Sequence, residues 1–477
     1  MLDSRWLSRR AMLRGTAGLG AVAAIGSAMG APNPAPRLPG RANFVIRNAY
    51  LMTMESATGD VASGDVHVKD GMIVAVGTRL TAPGAAAIEG AGMIVLPGLI
   101  ETHWHMWNTL LRSMSGEKPE HGYFRTTAAL GQKCEPADMY QGTRLAAAEA
   151  IHSGITFVHD WCHNIRGFDY AQADLRALKE AGLRARFSYG ASQGMLNNEG
   201  INVADLERLH RDWASYSNDG LITLGLAWRG MGGNNPATAI PPEIYTREIE
   251  AGRKLGLPIS VHASGSRPAT GQIETIAKAN LLGSDMQIIH AVAARSDEIA
   301  AMKAAGCSVS VSPFSELRIG FGFPQTANLL AAGIPVGLSV DTVELTGNAD
   351  MFGIMKLVQN LENGRSENEF KLSAHRVLEL GTIEGARSMG IADMVGSLKA
   401  GKRADLIMVS TRDVNLGVFG DPAHMIVTAA QPANVDTVVV DGRILKRAGK
   451  LTAMNVQAVT REAAAANAAL RKRAGWW

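Results

Sequence analysis

Three cysteines, Cys134, Cys162 and Cys307, stand far apart in a chain of 477 residues, and none belongs to a C-x-x-C pair. An odd, scattered set is no disulfide framework and offers no sulfur-ligated zinc. Aromatic residues are sparse at 5% and nowhere interleave with a basic patch, which argues against a nucleic-acid partner. An excess of one charge is missing too. The formal net charge is +3, and residues 1–30, with four arginines and one aspartate, account for it. The apolar run within those residues is too short and too glycine-rich for a stable membrane span. What remains is a near-neutral chain with 46% hydrophobic residues. It is long enough for one large domain and a smaller one.

Residues 1–30 read as a targeting segment outside the fold. Ser8-Arg9-Arg10-Ala11-Met12-Leu13 resembles the twin-arginine export motif. A Gly/Ala-rich run follows, then small residues around 28–31 that suit a signal peptidase. The twin-arginine export machinery is therefore an expected partner and the periplasm the expected location. Residues 31–40 (APNPAPRLPG) form a Pro-rich linker.

Short strands broken by turns follow over 41–95, with a hairpin signal at Asp70-Gly71. A matching set returns over 395–453, where Val438-Val439-Val440 runs into Asp441-Gly442. The two sets are expected to form one small β-sandwich domain. Between them, over 96–394, strand-like and helix-like segments alternate eight times. Strand candidates end near His103, His159, Tyr189, Ala227, His262, His290, Val311 and Asp341. Helix-length stretches such as 137–152, 203–216, 241–255 and 295–305 separate them. The expected fold is α/β, a (β/α)8 TIM barrel. Residues 454–477 read as a helical tail, with Trp476 and Trp477 as packing anchors.

Chemistry concentrates at the strand ends. His103 and His105 stand at i and i+2, so on a strand they share one face and can grip one ion together. His262, His290 and Asp341 each end another apolar run. In a barrel, catalytic groups sit at the C-terminal ends of the strands, and all five fall there.

With these residues in place the chain resembles the amidohydrolase superfamily, nearest the branch of cytosine and guanine deaminases and triazine chlorohydrolases. The motifs that carry the resemblance are V-L-P-G-L-I-E-T-H-W-H (95–105), S-V-H at His262 and I-I-H at His290. Further ones are Ser312-Pro313-Phe314-Ser315, G-L-S-V-D at Asp341 and G-S-L-K-A-G-K-R-A-D-L (396–406). The resemblance implies one divalent metal ion held by His103, His105, His262 and Asp341, with His290 polarising the substrate or binding the attacking water. Two-metal members carry a lysine at the end of the fourth strand; here Leu224–Gly230 has none. Zinc is the first expectation, and iron, cobalt or manganese would also suit imidazole with carboxylate.

Two departures stand out. Deaminases of this branch carry His-x-x-Glu, whereas this chain has His262-Ala263-Ser264-Gly265. Related hydrolases have Ser-Asn where this chain has Ser315-Glu316. Glu316 is a candidate catalytic acid; the alternative is a loop carboxylate paired with Arg318 or Arg295. Asp341 can act as the general base. Trp104 and Trp107, which flank the first ligand pair, Trp161 and His163 after the second strand, and Trp228 after the fourth are candidate substrate contacts, although Trp107 and Trp228 could equally pack loops. Glu101 alternates with His103 and is expected to support the site.

The expected activity is metal-dependent hydrolysis of a C–N bond (amide, urea, carbamate or cyclic amidine) in a small aromatic or heterocyclic molecule. Alternatives are an aminohydrolase or a C–S or C–halogen hydrolase on the same scaffold, and, from another class, an inactive exported binding protein. A homo-oligomer is expected.

Overall fold

The computed structural model describes residues 38–476 except 218, 234–236 and 419. The targeting segment, residues 31–37 of the linker and Trp477 lie outside the described residues. The described chain opens with five strands: β1 (Phe44–Leu51), β2 (Val61–Lys69), β3 (Met72–Gly77), β4 (Ala86–Glu89) and β5 (Met93–Pro97). Asp70 and Gly71 turn β2 into β3, both at positive φ (52° and 82°), as a two-residue Asp-Gly hairpin turn requires. At Gly98 the chain leaves this region for the barrel. A Cβ there would lie 2.1 Å from the Thr156 side chain, so only glycine lets the chain pass so close.

Eight strands then form one all-parallel sheet in sequential order. They are β6 (Leu99–Ile100), β7 (Ile155–Cys162), β8 (Arg184–Gly190), β9 (Ile222–Ala227), β10 (Ile259–Ala263), β11 (Met286–His290), β12 (Ser308–Val311) and β13 (Val336–Leu338). Every residue of β7 and of β11 is buried, as expected of parallel strands covered on both faces. The sheet closes into a barrel through residues just past β6 and β13. Thr102 N–H donates to Leu338 O (3.1 Å), Asp341 N–H to His103 O (2.8 Å) and His105 N–H to Asp341 O (2.7 Å). Helices with one apolar face follow the strands, among them Pro136–His152, Phe168–Ala181, Val203–Arg211, Pro242–Lys254 and Ser296–Ala305.

The chain returns as β14 (Leu406–Ser410), β15 (Val435–Val440), β16 (Arg443–Arg447) and β17 (Lys450–Leu451). These join the opening strands in one nine-stranded mixed sheet, ordered β17-β16-β15-β14-β5-β1-β2-β3 with β4 beside β1. Phe44, Ile46, Val66, Val95, Leu406 and Val439, from five strands, share one apolar cluster, so this sheet wraps a core of its own. A buried bidentate pair ties it to the barrel: Arg184 on β8 donates to both Asp405 oxygens (2.6 and 3.0 Å). A last helix, Val456–Ala474, capped by Asn455, lies along the helix Pro136–His152. Its Asn467 amide donates to Leu110 O (2.6 Å). Among the described residues no helix is long and apolar enough to cross a membrane.

Candidate metal centre and substrate cavity

The contacts that close the barrel also build the site. Trp104 bridges in parallel to Asp160 on one side and Asp341 on the other, so 101–105 continue the line of β6. Alternation then turns His103 and His105 inward together. Glu101, two residues earlier, is completely buried. Its Oε1 accepts the N–H of His103 (2.8 Å) and of Val340 (3.2 Å), and Oε2 that of His159 (3.3 Å). One carboxylate thus pins the first, second and last barrel strands beside the site. Burial pushes the Glu101 carboxyl up to about 8, against these three hydrogen bonds.

Four donors converge. His103 Nε2 lies 3.2 Å from Asp341 Oδ1 and 3.2 Å from His262 Nε2, and His105 Nε2 lies 3.4 Å from the same carboxylate oxygen. The ligating atoms of His103, His105, His262 and Asp341 all lie within 4.8 Å of one another. Tetrahedral zinc with bonds of about 2.0–2.1 Å would set its donors roughly 3.3 Å apart. Two imidazole nitrogens facing each other need a cation or a proton between them. Burial first, and then the neighbouring histidines, hold His103 and His262 well below the usual imidazole range. They therefore present the neutral rings that metal ligation needs. The donor set fits one divalent ion. Trp161 O fixes His105 by accepting from Nδ1 (3.1 Å).

His290 ends β11, opposite Ala263 of β10, and its ring lies 5.3 Å from that of His262. Its Nδ1 faces Glu316 Oε1 at 3.1 Å, and the same oxygen accepts the Ser312 N–H (2.8 Å). Glu316 is thus wholly buried behind His290 and pairs with neither Arg318 nor Arg295; Arg295 is engaged by Glu274 and Asp297. Burial works against a charge on His290, but the Glu316 hydrogen bond and the nearby Asp341 prevail and raise its pKa. Ser264, His290, Ala291 and Asp341 all have positive φ (47°, 75°, 51° and 61°). Such backbone is uncommon outside glycine and gathers at functional sites.

A cavity of about 360 Å³ opens over these groups. His105, His262, His290 and Asp341 line its floor, Trp161 and His163 one wall, and Tyr123, Phe124, Gln193, Gly265, Gln272 and Phe321 are among the others. Of the expected substrate contacts, Trp161 and His163 reach this cavity. Trp104, Trp107 and Trp228 do not: each is at most 1% exposed and packs in the protein core. Trp104 sits between two inward histidines, so the same alternation turns it outward. Trp107 lies in the short helix Met106–Leu111, against Gly131 and Gly142. Trp228 prolongs β9, its N–H bonded to Ser260 O (2.9 Å). Tyr123, Phe124 and Phe321 carried no signal in the sequence, because they lie on connecting segments without strand or ligand periodicity.

Behind the site, Cys162 and Asp160 point from β7 toward Asp174, which accepts from the Thr143 hydroxyl (2.7 Å). Burial, and then Asp174, push the Asp160 carboxyl well above the carboxylate range. Cys162 belongs to this sealed layer and does not line the cavity.

The sequence pattern of the Amidohydrolase family matches residues 94–445. The chain is 28% identical to the 5'-deoxyadenosine deaminase of Methanosarcina mazei over 88% of its length and 97% of that protein. It is 28% identical to the 5-methylthioadenosine/S-adenosylhomocysteine deaminase of Pelotomaculum thermopropionicum, again over 88% and 97%. Among solved structures, a zinc-bound adenosine deaminase from Xanthomonas campestris superposes with a TM-score of 0.78 at 21% identity, covering 91% of this chain and all of that one. The zinc complex of atrazine chlorohydrolase from Arthrobacter aurescens TC1 gives 0.75 at 21% identity, covering 89% and 100%. These superpositions show a shared fold.

Proposed function

From a chain that belongs to the amidohydrolase family and is a metal-dependent hydrolase of carbon–nitrogen bonds, we propose a narrower reading. One ion, zinc by preference, held by His103, His105, His262 and Asp341, serves hydrolysis of an amide, urea, carbamate or cyclic amidine in a small aromatic or heterocyclic molecule. The observation that carries it is a complete donor set beside a cavity wall bearing Gly265 where deaminases of this branch keep an acid. A Cβ at Gly265 would lie 3.5 Å from both His290 Cδ2 and Phe321 Cε2. The position therefore faces the cavity and would accept a Cβ at ordinary van der Waals distance.

The ion would supply Lewis acidity, lowering the pKa of an attacking water and polarising the scissile carbon. Asp341 takes the proton of that water and passes it to the leaving nitrogen. His290, held through Nδ1 by Glu316, presents its other nitrogen to the substrate oxygen. Glu316 acts through His290 rather than on substrate. This route needs no proton on a ring nitrogen, which is the step the missing acid would serve. Deamination of an aminopurine-like ring is the second reading, and the names of the curated relatives favour it.

A panel of anilides, carbamates, cyclic amidines and aminopurine nucleosides, incubated with zinc-loaded protein, separates the two. The expected result is chelator-sensitive release of an amine from one of the first three classes. Ammonia released from an aminopurine, with the others untouched, would replace this reading with deamination.

A further inference from the structure

The cavity has an outer half that the chemistry above does not use. Phe124, at the start of the helix Tyr123–Gly131 that follows β6, is 64% exposed although it lines the cavity. Large apolar side chains that stay open to water beside a concave site mark binding surfaces. Facing it is Phe321, from the segment after β12. The two rings are close to parallel, 28° apart in plane, with centroids separated by 6.4 Å. A planar group held between two rings needs about 3.5 Å on each face, roughly 7 Å in all, little more than the present spacing. Gly320 and Gly322 flank Phe321, both at positive φ (79° and 130°), so the backbone that carries this ring is of the kind that adjusts most readily. The inner edge of Phe321 meets His290 at 5.4 Å and 78°, which places the pair directly above the reacting end of the cavity.

Charge sharpens the picture. Among the described residues that line the cavity there is no lysine or arginine. Away from the floor that would hold the ion, a carboxylate or phosphate on the substrate's arm would therefore find no cationic side chain to offset its desolvation, which is costly.

We propose that Phe124 and Phe321 form an aromatic clamp selecting uncharged substrates that carry a planar apolar arm next to the scissile bond. The clamp rests on the reading of this cavity as the hydrolytic site. Its test is binding, so that the two can fail separately. Zinc-loaded protein is titrated calorimetrically with phenylurea, methylurea and 4-ureidobenzoate.

Phenylurea should bind at least about tenfold more tightly than methylurea, the order expected from stacking beyond simple burial. 4-Ureidobenzoate should bind about tenfold more weakly than phenylurea. Phe124→Ala should remove the preference for phenylurea and leave methylurea within about twofold, whereas Phe124→Tyr, which keeps the ring, should retain it. Phe321→Ala should act like Phe124→Ala. No measurable phenylurea binding, equal binding of phenylurea and methylurea, or a preference that survives both alanine variants overturns the clamp. A preference lost in both variants supports it, even if no amide, urea, carbamate or cyclic amidine is turned over; in that case it is the hydrolytic reading that fails.

Discussion

Asp341 brings its Oδ1 within 3.2–3.4 Å of two ligand nitrogens, while its backbone N–H and C=O bond to His103 and His105 across the barrel seam. In the proposed mechanism, ligation, proton transfer and closure therefore meet at one residue. Asp341→Asn keeps the shape and the backbone contacts but removes the base. Turnover should be abolished while the three histidines still retain some metal.

Glu316 offers the contrast. Its Oε1 holds His290 and Ser312, and a glutamine oxygen can accept the same two bonds. Glu316→Gln should leave kcat/KM within about tenfold, short of the 10²–10⁴-fold expected on losing a general acid or base. The measurement is steady-state kinetics with metal content checked in each variant. A larger loss at unchanged metal content would make Glu316 the acid that Gly265 leaves out.

At this scale the sequence was informative where a periodicity existed. The i, i+2 spacing of His103 and His105 has one geometric consequence on a strand. Nearness in sequence misled for Trp104, whose odd position between them sends it to the opposite face. Glu316 was legible as a candidate acid after the seventh strand, but its place behind His290, 26 residues away in sequence, needed three dimensions.

Among the elements, the barrel strands were readable as short strand-like runs: ITLGLA of β9 is nearly all apolar, as burial on both faces favours, while RARFSYG of β8 and SVSV of β12 alternate. Eight such runs, separated by helix-length stretches, leave few topologies open. The aromatic pair above the site was not readable. Phe124 and Phe321 belong to connections after different strands, and only barrel closure brings those connections together.

The G-K-R-A-D-L segment acquires a physical reason. Asp405 receives both Arg184 nitrogens and the Asp441 N–H (2.8 Å). The side chains of Arg184 and Asp405 are 5% and 1% exposed. Removing one partner of a buried, hydrogen-bonded pair costs about 3–5 kcal/mol where the other charge is left stranded, and less here, because Asp441 Oδ1 also lies 3.5 Å from Arg184. Asp405→Ala should lower the melting temperature by several degrees. Because this pair lies at the start of β8, away from the strand ends that carry the ligands, kcat of the folded fraction should stay within about twofold. Thermal unfolding paired with kinetics would check both halves. An unchanged melting temperature would show that the pair does not hold barrel and sheet together.

For the molecule as a whole, a barrel that gathers five polar groups from four separate strand ends at one mouth is an arrangement for chemistry rather than for stability. Strands β6, β10, β11 and β13 each deliver a side chain to within a few ångströms of the others, and the mixed sheet, with its own apolar core, stays clear of that mouth. The missing His-x-x-Glu acid and a cavity whose described lining holds no lysine or arginine both fit the proposed uncharged substrates, whose leaving nitrogen would take its proton from Asp341.

All of this depends on the ion. Elemental analysis of purified protein, alongside His262→Ala and Asp341→Asn, tests it most directly. The account predicts one tightly bound divalent ion per chain in the wild type, weakened in Asp341→Asn and lost or nearly lost in His262→Ala. Two tightly bound ions per chain, or one that persists undiminished when His262 is removed, would contradict it.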